Sequence, residues 1–138
     1  MHREDWDIKS RRNMAHWGGE IQQFLGMNNR TKFPISQSQL FNAPALVYLS
    51  IPKKSSYWSI FDLGAFSQTF MLSAYGRGIG SMPAYEIVKY PELVRQFIEI
   101  PDDQTIAMGV ALGYPDEKKI NGFVSDREEI EKMIEIKN

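Results

Sequence analysis

The sequence contains no cysteine among its 138 residues, and this absence excludes several classes of protein. Disulfide scaffolds, thiolate zinc sites, iron–sulfur clusters and cysteine nucleophiles all require that residue. An excess of one charge is also missing, because 16 Lys and Arg stand against 17 Asp and Glu, a net charge of −1. General nucleic-acid binding needs a basic surface, so no nucleic-acid partner is expected.

Histidine is scarce, with only His2 and His16 in the chain. A zinc site normally needs more ligands at close spacing, so no metal site is predicted from the spacing. A Ser-His-Asp triad would have to use one of these two residues, and no G-x-S-x-G motif surrounds any serine. The residues alone therefore give no evident catalytic dyad and no metal site.

A long uninterrupted hydrophobic run is absent as well. The most apolar stretch, residues 55–76, also contains Asp62, serines, a glutamine, a threonine and two glycines, so it predicts a buried helix and not a membrane span. The polar start of the chain does not resemble a signal peptide. These features predict a cytoplasmic protein with no membrane partner.

Hydrophobic spacing predicts helices alternating with two buried strands in a single domain over residues 1–138, hence an α/β or α+β class. The predicted helices cover residues 4–25, with a kink or break possible at Gly18 and Gly19, then 59–76 and 91–98, and a last helix begins near Ser125. The predicted strands cover residues 45–51 and 105–112, and residues 81–84 are extended. Residues 26–39 are polar and predict a loop or a short excursion of the chain.

The predicted helix over residues 59–76 has almost no polar face, which is typical of a helix buried on several sides. In a chain of this length, that composition indicates that another subunit covers part of the helix. Ser59 and Asp62 predict its start as a weak capping box. We therefore expect a homodimer.

Two local motifs allow more than one interpretation. Gly76, Gly78 and Gly80 form half of a dinucleotide fingerprint, but they follow a helix instead of a strand, so a helix-ending turn is favoured over a ligand site. The alternative is that glycine lets the backbone approach a flat ligand. Arg11 and Arg12 fit either a solvated helix face or a phosphate clamp.

The order of five segments is more specific than any one motif. They read FNAPALV at 41–47, WSIFDLGAFSQ at 58–68, GIGSMP at 78–83, IPDD at 100–103 and GVALGYP at 109–115. This series resembles the C-terminal part of the nitroreductase family, closest to its nitrobenzoate-reductase-like branch, over about residues 11–133. The resemblance implies an α+β fold of helices around a mixed β-sheet and an intertwined homodimer with FMN at the subunit interface.

The resemblance also implies a reaction and a site. NAD(P)H would reduce FMN, which would then reduce a nitroaromatic, a quinone or a similar small-molecule acceptor. The family's flavin contacts fall on six positions of this sequence: Gly80, Pro83, Ala84, Tyr85, Glu86 and Arg127. Pro83 and Ala84 would pack near the ring, the N–H groups of Tyr85 and Glu86 would approach its N5 and O4 edge, and Arg127 would bind the phosphate.

The sequence departs from the family pattern in two places. Neither the family's R-R-S-x-R motif nor its S-x-x-N-x-Q-P-W-like segment occurs, and Val124 stands where an Arg is common. The expectation is a nitroreductase shortened at its N-terminus. Two hypotheses follow, an FMN oxidoreductase or a catalytically impaired relative that serves as a dimerising or interaction module or is a remnant.

Overall fold

The computed structural model describes residue 4, residues 6–26 and residues 32–137. The chain divides into two compact units, a sheet unit (Thr31–Asp116) and a tail unit (Met1–Arg30 with Glu117–Asn138). The helices are α1 (Ile8–Leu25), α2 (Lys32–Ser38), α3 (Tyr57–Tyr75) and α4 (Pro91–Phe97). The strands are β1 (Ala45–Pro52), β2 (Gly80–Pro83) and β3 (Gln104–Gly113).

The sheet unit is built on three strands in the order β1-β3-β2, and both pairings are antiparallel. β1 pairs with β3 from Ala45 opposite Leu112, and the register shifts between Leu49 and Ser50. β2 pairs with the end of β3, with Gly80 opposite Gly113. Helices around this sheet confirm the expected α+β class, and the three described strands pair only antiparallel.

One face of the sheet packs against a short 3-10 turn over Tyr85–Val88. Ala84, Ile87 and Ala111 form a buried cluster there, with Leu46 and Tyr48 of β1 packed against it. Leu46 and Tyr48 lie two residues apart on β1, so their side chains share one face of the sheet. The core of the sheet unit therefore lies between the central strand and the segment that follows β2.

Helix α3 packs against β2 and β1. Its N-cap is Ser56, whose Oγ accepts a hydrogen bond from the Ser59 N–H at 3.4 Å. The predicted capping box at Ser59 and Asp62 therefore lies one turn too late, although the helix itself is confirmed. Only Ala74 of α3 is buried within the chain, so most of this apolar helix lies exposed on the chain's surface.

Helix α1 belongs to the tail unit and runs without a break through Gly18 and Gly19. It begins four residues after the predicted boundary because Asp7 caps it, with Oδ1 accepting from the Ser10 N–H at 3.0 Å. The hydrogen bond from the Ser10 hydroxyl, followed by the one from its N–H, lowers the pKa of the Asp7 carboxyl. Gly26 ends α1 with a φ of 90°, which suits a residue without a Cβ.

Two further sequence predictions are wrong. Within residues 26–39, where a loop or a short excursion without a helix was expected, α2 covers Lys32–Ser38, while residues 27–31 lie outside the described residues. The predicted last helix is reduced to one 3-10 turn over Ile130–Lys132. Its apolar residues Met133 and Ile134 are 65% and 57% exposed, so no packing stabilises a helix there.

Candidate functional site

The segment from β2 into the 3-10 turn carries five of the six predicted site residues. Pro83 ends β2 opposite Val110 and is exposed. Ala84 follows and is buried, and its N–H donates to the Gly109 carbonyl at 2.8 Å. The central strand therefore holds this segment through the main chain at the point where β2 ends.

Gly109 lets the 3-10 turn lie directly on β3. A Cβ on Gly109 would come within 2.3 Å of Ile87 Cγ1 and 3.0 Å of Val88 Cγ1. No side chain fits in that space, so the turn packs against bare backbone. The sequence analysis did not assign Gly109 to the site. The signal was present, since a glycine inside an apolar strand indicates a close backbone approach.

Glu86 has its carboxylate and its amide in different surroundings. Oε1 accepts a hydrogen bond from Lys89 Nζ at 3.2 Å, and this hydrogen bond, together with the charge of Glu86, raises the pKa of the Lys89 ammonium. The first bond of the 3-10 turn runs from the Ile87 N–H to the Ala84 carbonyl at 3.2 Å. Glu86 comes one residue before Ile87, which carries the first hydrogen-bonded N–H of the turn. The Glu86 N–H therefore has no acceptor within the turn.

A pocket of about 300 Å³ lies between the 3-10 turn and α4. Its lining is apolar except for the Glu86 carboxylate and the hydroxyls of Tyr48 and Tyr90. Apolar concave sites with few polar groups are typical of small-molecule binding. The turn over Tyr85–Val88 therefore has a pocket on one side and the sheet on the other.

Gly76, Gly78 and Gly80 end α3 and start β2. Gly78 adopts the left-handed conformation, with a φ of 73°, which confirms the helix-ending interpretation of this motif. Gly80 is needed for space, since a Cβ there would be 3.2 Å from the Gly113 carbonyl oxygen and 3.3 Å from Pro115 Cδ. Its close neighbour is therefore the chain itself, at the end of β3.

Arg127 belongs to the tail unit, whereas Gly80 to Glu86 belong to the sheet unit. Within its unit, Arg127 Nη1 donates to the Ser125 carbonyl at 3.0 Å, to the Ser125 hydroxyl and to the Asp126 carbonyl at 3.1 Å. Val124 beside it is 86% exposed. The alternative phosphate clamp, Arg11 and Arg12, is exposed on α1 of the same unit.

No helix in the described part of the chain combines the length and apolarity needed to cross a membrane. This applies to α3 as well, although its sequence is the most apolar in the chain.

The nitroreductase family model matches residues 11–114, a range that ends before Arg127. The 4-nitrobenzoate reductase of Pseudomonas putida is 28% identical over 134 residues, 91% of this chain and 58% of that protein. The nitrobenzene nitroreductase of Ectopseudomonas oleovorans is 30% identical over 98 residues, 70% of this chain and 41% of that protein. The matched part of this chain thus spans little more than half the length of the first relative and less than half the length of the second.

Solved structures share the fold. The FMN-dependent nitroreductase NfnB from Mycobacterium smegmatis, solved in complex with NADPH, matches with a TM-score of 0.85 and 20% identity. That match covers 100% of this chain and 64% of the other. A Bacteroides fragilis nitroreductase with bound FMN matches with a TM-score of 0.57 and 19% identity, over 89% of this chain and 67% of the other. The fold and the match over three quarters of the sequence agree with the order of the five segments, and this chain belongs to the nitroreductase family.

Proposed function

We propose that the chain acts as an FMN-dependent oxidoreductase that transfers electrons from NAD(P)H to a nitroaromatic, a quinone or a similar small-molecule acceptor. Family membership supports the proposal. The names of the two relatives described above identify them as reductases of 4-nitrobenzoate and of nitrobenzene. The observation that carries it is the segment over residues 83–86. The Ala84–Gly109 hydrogen bond fixes that segment on the central strand.

The residues of this segment fit the ring of a flavin. A flat heteroaromatic ring needs an apolar surface for its face and hydrogen-bond donors for the nitrogen and oxygen atoms at its edge. Pro83 offers an exposed apolar surface, whereas Ala84 is buried and holds the segment on β3 through its N–H. The N–H groups of Tyr85 and Glu86 are the proposed donors to the ring edge. Gly80 is the first residue of β2, the strand that leads into this segment.

Arg127 is the proposed phosphate ligand. A guanidinium has five N–H donors, and the contacts of Arg127 with Ser125 and Asp126 use Nη1 alone. The remaining donors are suited to a phosphate. A charge-assisted hydrogen bond contributes about 1.5–3 kcal/mol, so the loss of Arg127 would weaken phosphate binding by at least about tenfold.

A bound flavin supplies the two-electron chemistry, while the protein supplies position, electrostatics and exclusion of water. In this proposal the chain holds the edge of the ring through main-chain N–H groups. The buried Ala84 and Ile87 keep that edge from moving relative to the sheet. No side chain of the site is proposed as an acid or a base.

A homodimer is part of the proposal. Trp58, Phe61, Phe66 and Leu72 of α3 are 78%, 68%, 57% and 60% exposed within one chain. Apolar surface removed from water contributes roughly 25 cal/mol per Å². A second copy that covers α3 would bury large aromatic side chains, which supports a dimer formed through this helix.

The visible absorption spectrum of the purified protein tests the oxidoreductase proposal. We expect a flavin spectrum, or one that appears when FMN is added, together with NAD(P)H-dependent reduction of a nitroaromatic. A folded dimer that neither carries nor binds FMN would overturn the proposal and favour the impaired relative that acts as a dimerising module.

Arg127→Ala tests the phosphate contact. We expect weaker binding of FMN by about tenfold or more, with little change for riboflavin, which has no phosphate. The matched control is Lys132→Ala, which removes the same charge from an exposed site on the same tail. Equal losses for both ligands, or an equal loss in the control, would show that Arg127 acts through the fold of the tail.

A further inference from the structure

Three potential metal ligands meet in the tail unit. His16 and Glu20 lie one turn apart on the same face of α1, and His16 Nε2 is 3.5 Å from Glu20 Oε1. Asp126, far away in the sequence, brings a carboxylate oxygen to the same place. One ligand atom from each of the three residues lies within 4.8 Å of the other two.

Aromatic packing explains why Asp126 reaches α1. Phe123, three residues earlier, packs edge-on against Trp17, with ring centroids 6.2 Å apart. It also packs against Phe24 at 5.5 Å. These contacts anchor the irregular C-terminal segment of the tail unit, from Glu117 onward, to the helix that carries His16 and Glu20. The cluster is therefore a product of the fold of this unit and not of side chains that meet by chance on one helix.

We infer that His16, Glu20 and Asp126 form a binding site for a divalent transition-metal ion of the Zn²⁺ type. One imidazole nitrogen and two carboxylate oxygens are a donor set that Zn²⁺ uses in proteins. Two ligand atoms bound at about 2.1 Å in tetrahedral geometry are about 3.4 Å apart. The His16–Glu20 separation of 3.5 Å already matches this value. The Asp126 oxygen lies within 4.8 Å of the other two ligand atoms, so it needs to approach them by at most about 1.4 Å.

The electrostatics of the cluster favour a cation. Two carboxylates and an unprotonated imidazole carry two negative charges. In the described part of the chain, no Lys or Arg forms an ion pair with Asp126. The neighbouring guanidinium of Arg127 donates instead to main-chain carbonyls and to Ser125. A bound ion would therefore not have to displace a cation from the Asp126 carboxylate.

The surroundings predict an open site. His16 is 72% exposed and Asp126 is also exposed, so water would complete the coordination. A bound ion would add a link between α1 and the C-terminal segment, which already contacts α1 through the ring of Phe123 and through Lys119 Nζ over the Phe24 ring. Binding should therefore stabilise the folded tail unit. This inference does not depend on FMN or on the oxidoreductase proposal.

Calorimetry on the full chain, after treatment with EDTA and removal of the chelator, tests the site. We expect one Zn²⁺ to bind per chain and no binding of Mg²⁺ at the same concentration, because Mg²⁺ takes only oxygen ligands. The midpoint of thermal unfolding should rise with Zn²⁺. No Zn²⁺ binding, or equal binding of both ions, would overturn the inference.

Variants distinguish this site from any other. His16→Ala and Asp126→Asn should each weaken Zn²⁺ binding by at least about tenfold and abolish the thermal shift. Glu128→Gln, an exposed acid of the same tail, and His2→Ala, the other histidine of the chain, are the controls and should bind Zn²⁺ like the unchanged protein. Undiminished binding by His16→Ala, or a comparable loss in either control, would overturn the assignment.

Discussion

Strand β3 and helix α3 are both apolar along their length, yet Val110 in β3 is fully buried, whereas Trp58 in α3 is 78% exposed. β3 is the central strand, so β1 and β2 flank it on both edges. α3 contacts the sheet through β2 and β1, yet Ala74 alone among its residues is buried within the chain. An apolar sequence therefore predicts burial, but it does not say which surface, or which copy of the chain, completes it.

The largest expected effect is that of a charge placed in β3. Val110→Asp would bury a carboxylate at a position with 0% exposure, which costs at least about 4 kcal/mol. We expect a chain without cooperative unfolding, measured by circular dichroism in urea. A folded Val110→Asp chain of unchanged stability would mean that β3 is not the centre of the core.

The same charge on α3 should act on assembly instead. Phe66→Asp lies on the exposed side, where Phe66 is 57% exposed, so the secondary structure should persist. The proposed dimer should dissociate at least about tenfold more readily, because one apolar contact in each copy becomes a carboxylate. Sedimentation measures the dissociation constant. A dimer that is indifferent to this change would mean that α3 is not the interface.

Gly109→Ala is the third largest expected change. The added Cβ would meet Ile87 at 2.3 Å, and overpacking of this kind costs about 1–3 kcal/mol. The turn over Tyr85–Val88 must then shift, so FMN binding should fall along with stability. Urea unfolding and FMN titration measure the two effects. A loss of stability without any loss of FMN affinity would separate the turn from the flavin site.

Gly64→Ala in α3 is the counterpart of Gly109→Ala. Nothing lies within 4 Å of a Cβ built on Gly64, and Ala is favoured over Gly inside a helix by about 0.5–1 kcal/mol. We expect a slightly more stable chain at concentrations where it is monomeric. Weaker dimerisation with an unchanged monomer would show that the partner's surface approaches Gly64 closely.

The smallest expected effect concerns Asp7 in the tail unit, outside both β3 and α3. The pKa of Asp7 is lowered in the folded chain, so its contribution to stability is present at pH values above the unfolded pKa of about 3.9. It is lost as the pH falls through the lowered folded value. Asp7→Ala should slightly reduce the helical signal near neutral pH, and this difference should disappear in acid. A difference that persists in acid would mean that the cap does not depend on the charge of Asp7.

Local patterns were sufficient for much of the fold. β1 and β3 were predicted to within two residues because each is a short apolar run bounded by turn-forming residues. The prediction of α3 was right in kind and two residues late at its start. The predicted last helix failed because Met133 and Ile134 have the spacing of a helix but no surface to pack on.

The candidate site also contains residues that the sequence pointed to and a residue that only the structure revealed. The order of the five segments identified the family and led to Pro83 through Glu86, since those residues lie in or beside matching motifs. It did not assign a role to Gly109, whose importance depends on Ile87 lying directly over it. The contributions of Gly80, of Pro83 to Glu86 and of Arg127 to the site stay predictions.

The sequence by itself determined the elements whose signals are local, namely the apolar runs, the helix-ending glycine at Gly78 and the absence of cysteine chemistry. Only the tertiary structure decided which apolar faces the chain covers by itself and that Asp126 meets His16 and Glu20. The physical reason is distance along the chain. A hydrophobic period or a turn is encoded within a few residues, whereas burial and ligand geometry depend on contacts between segments that no local pattern specifies.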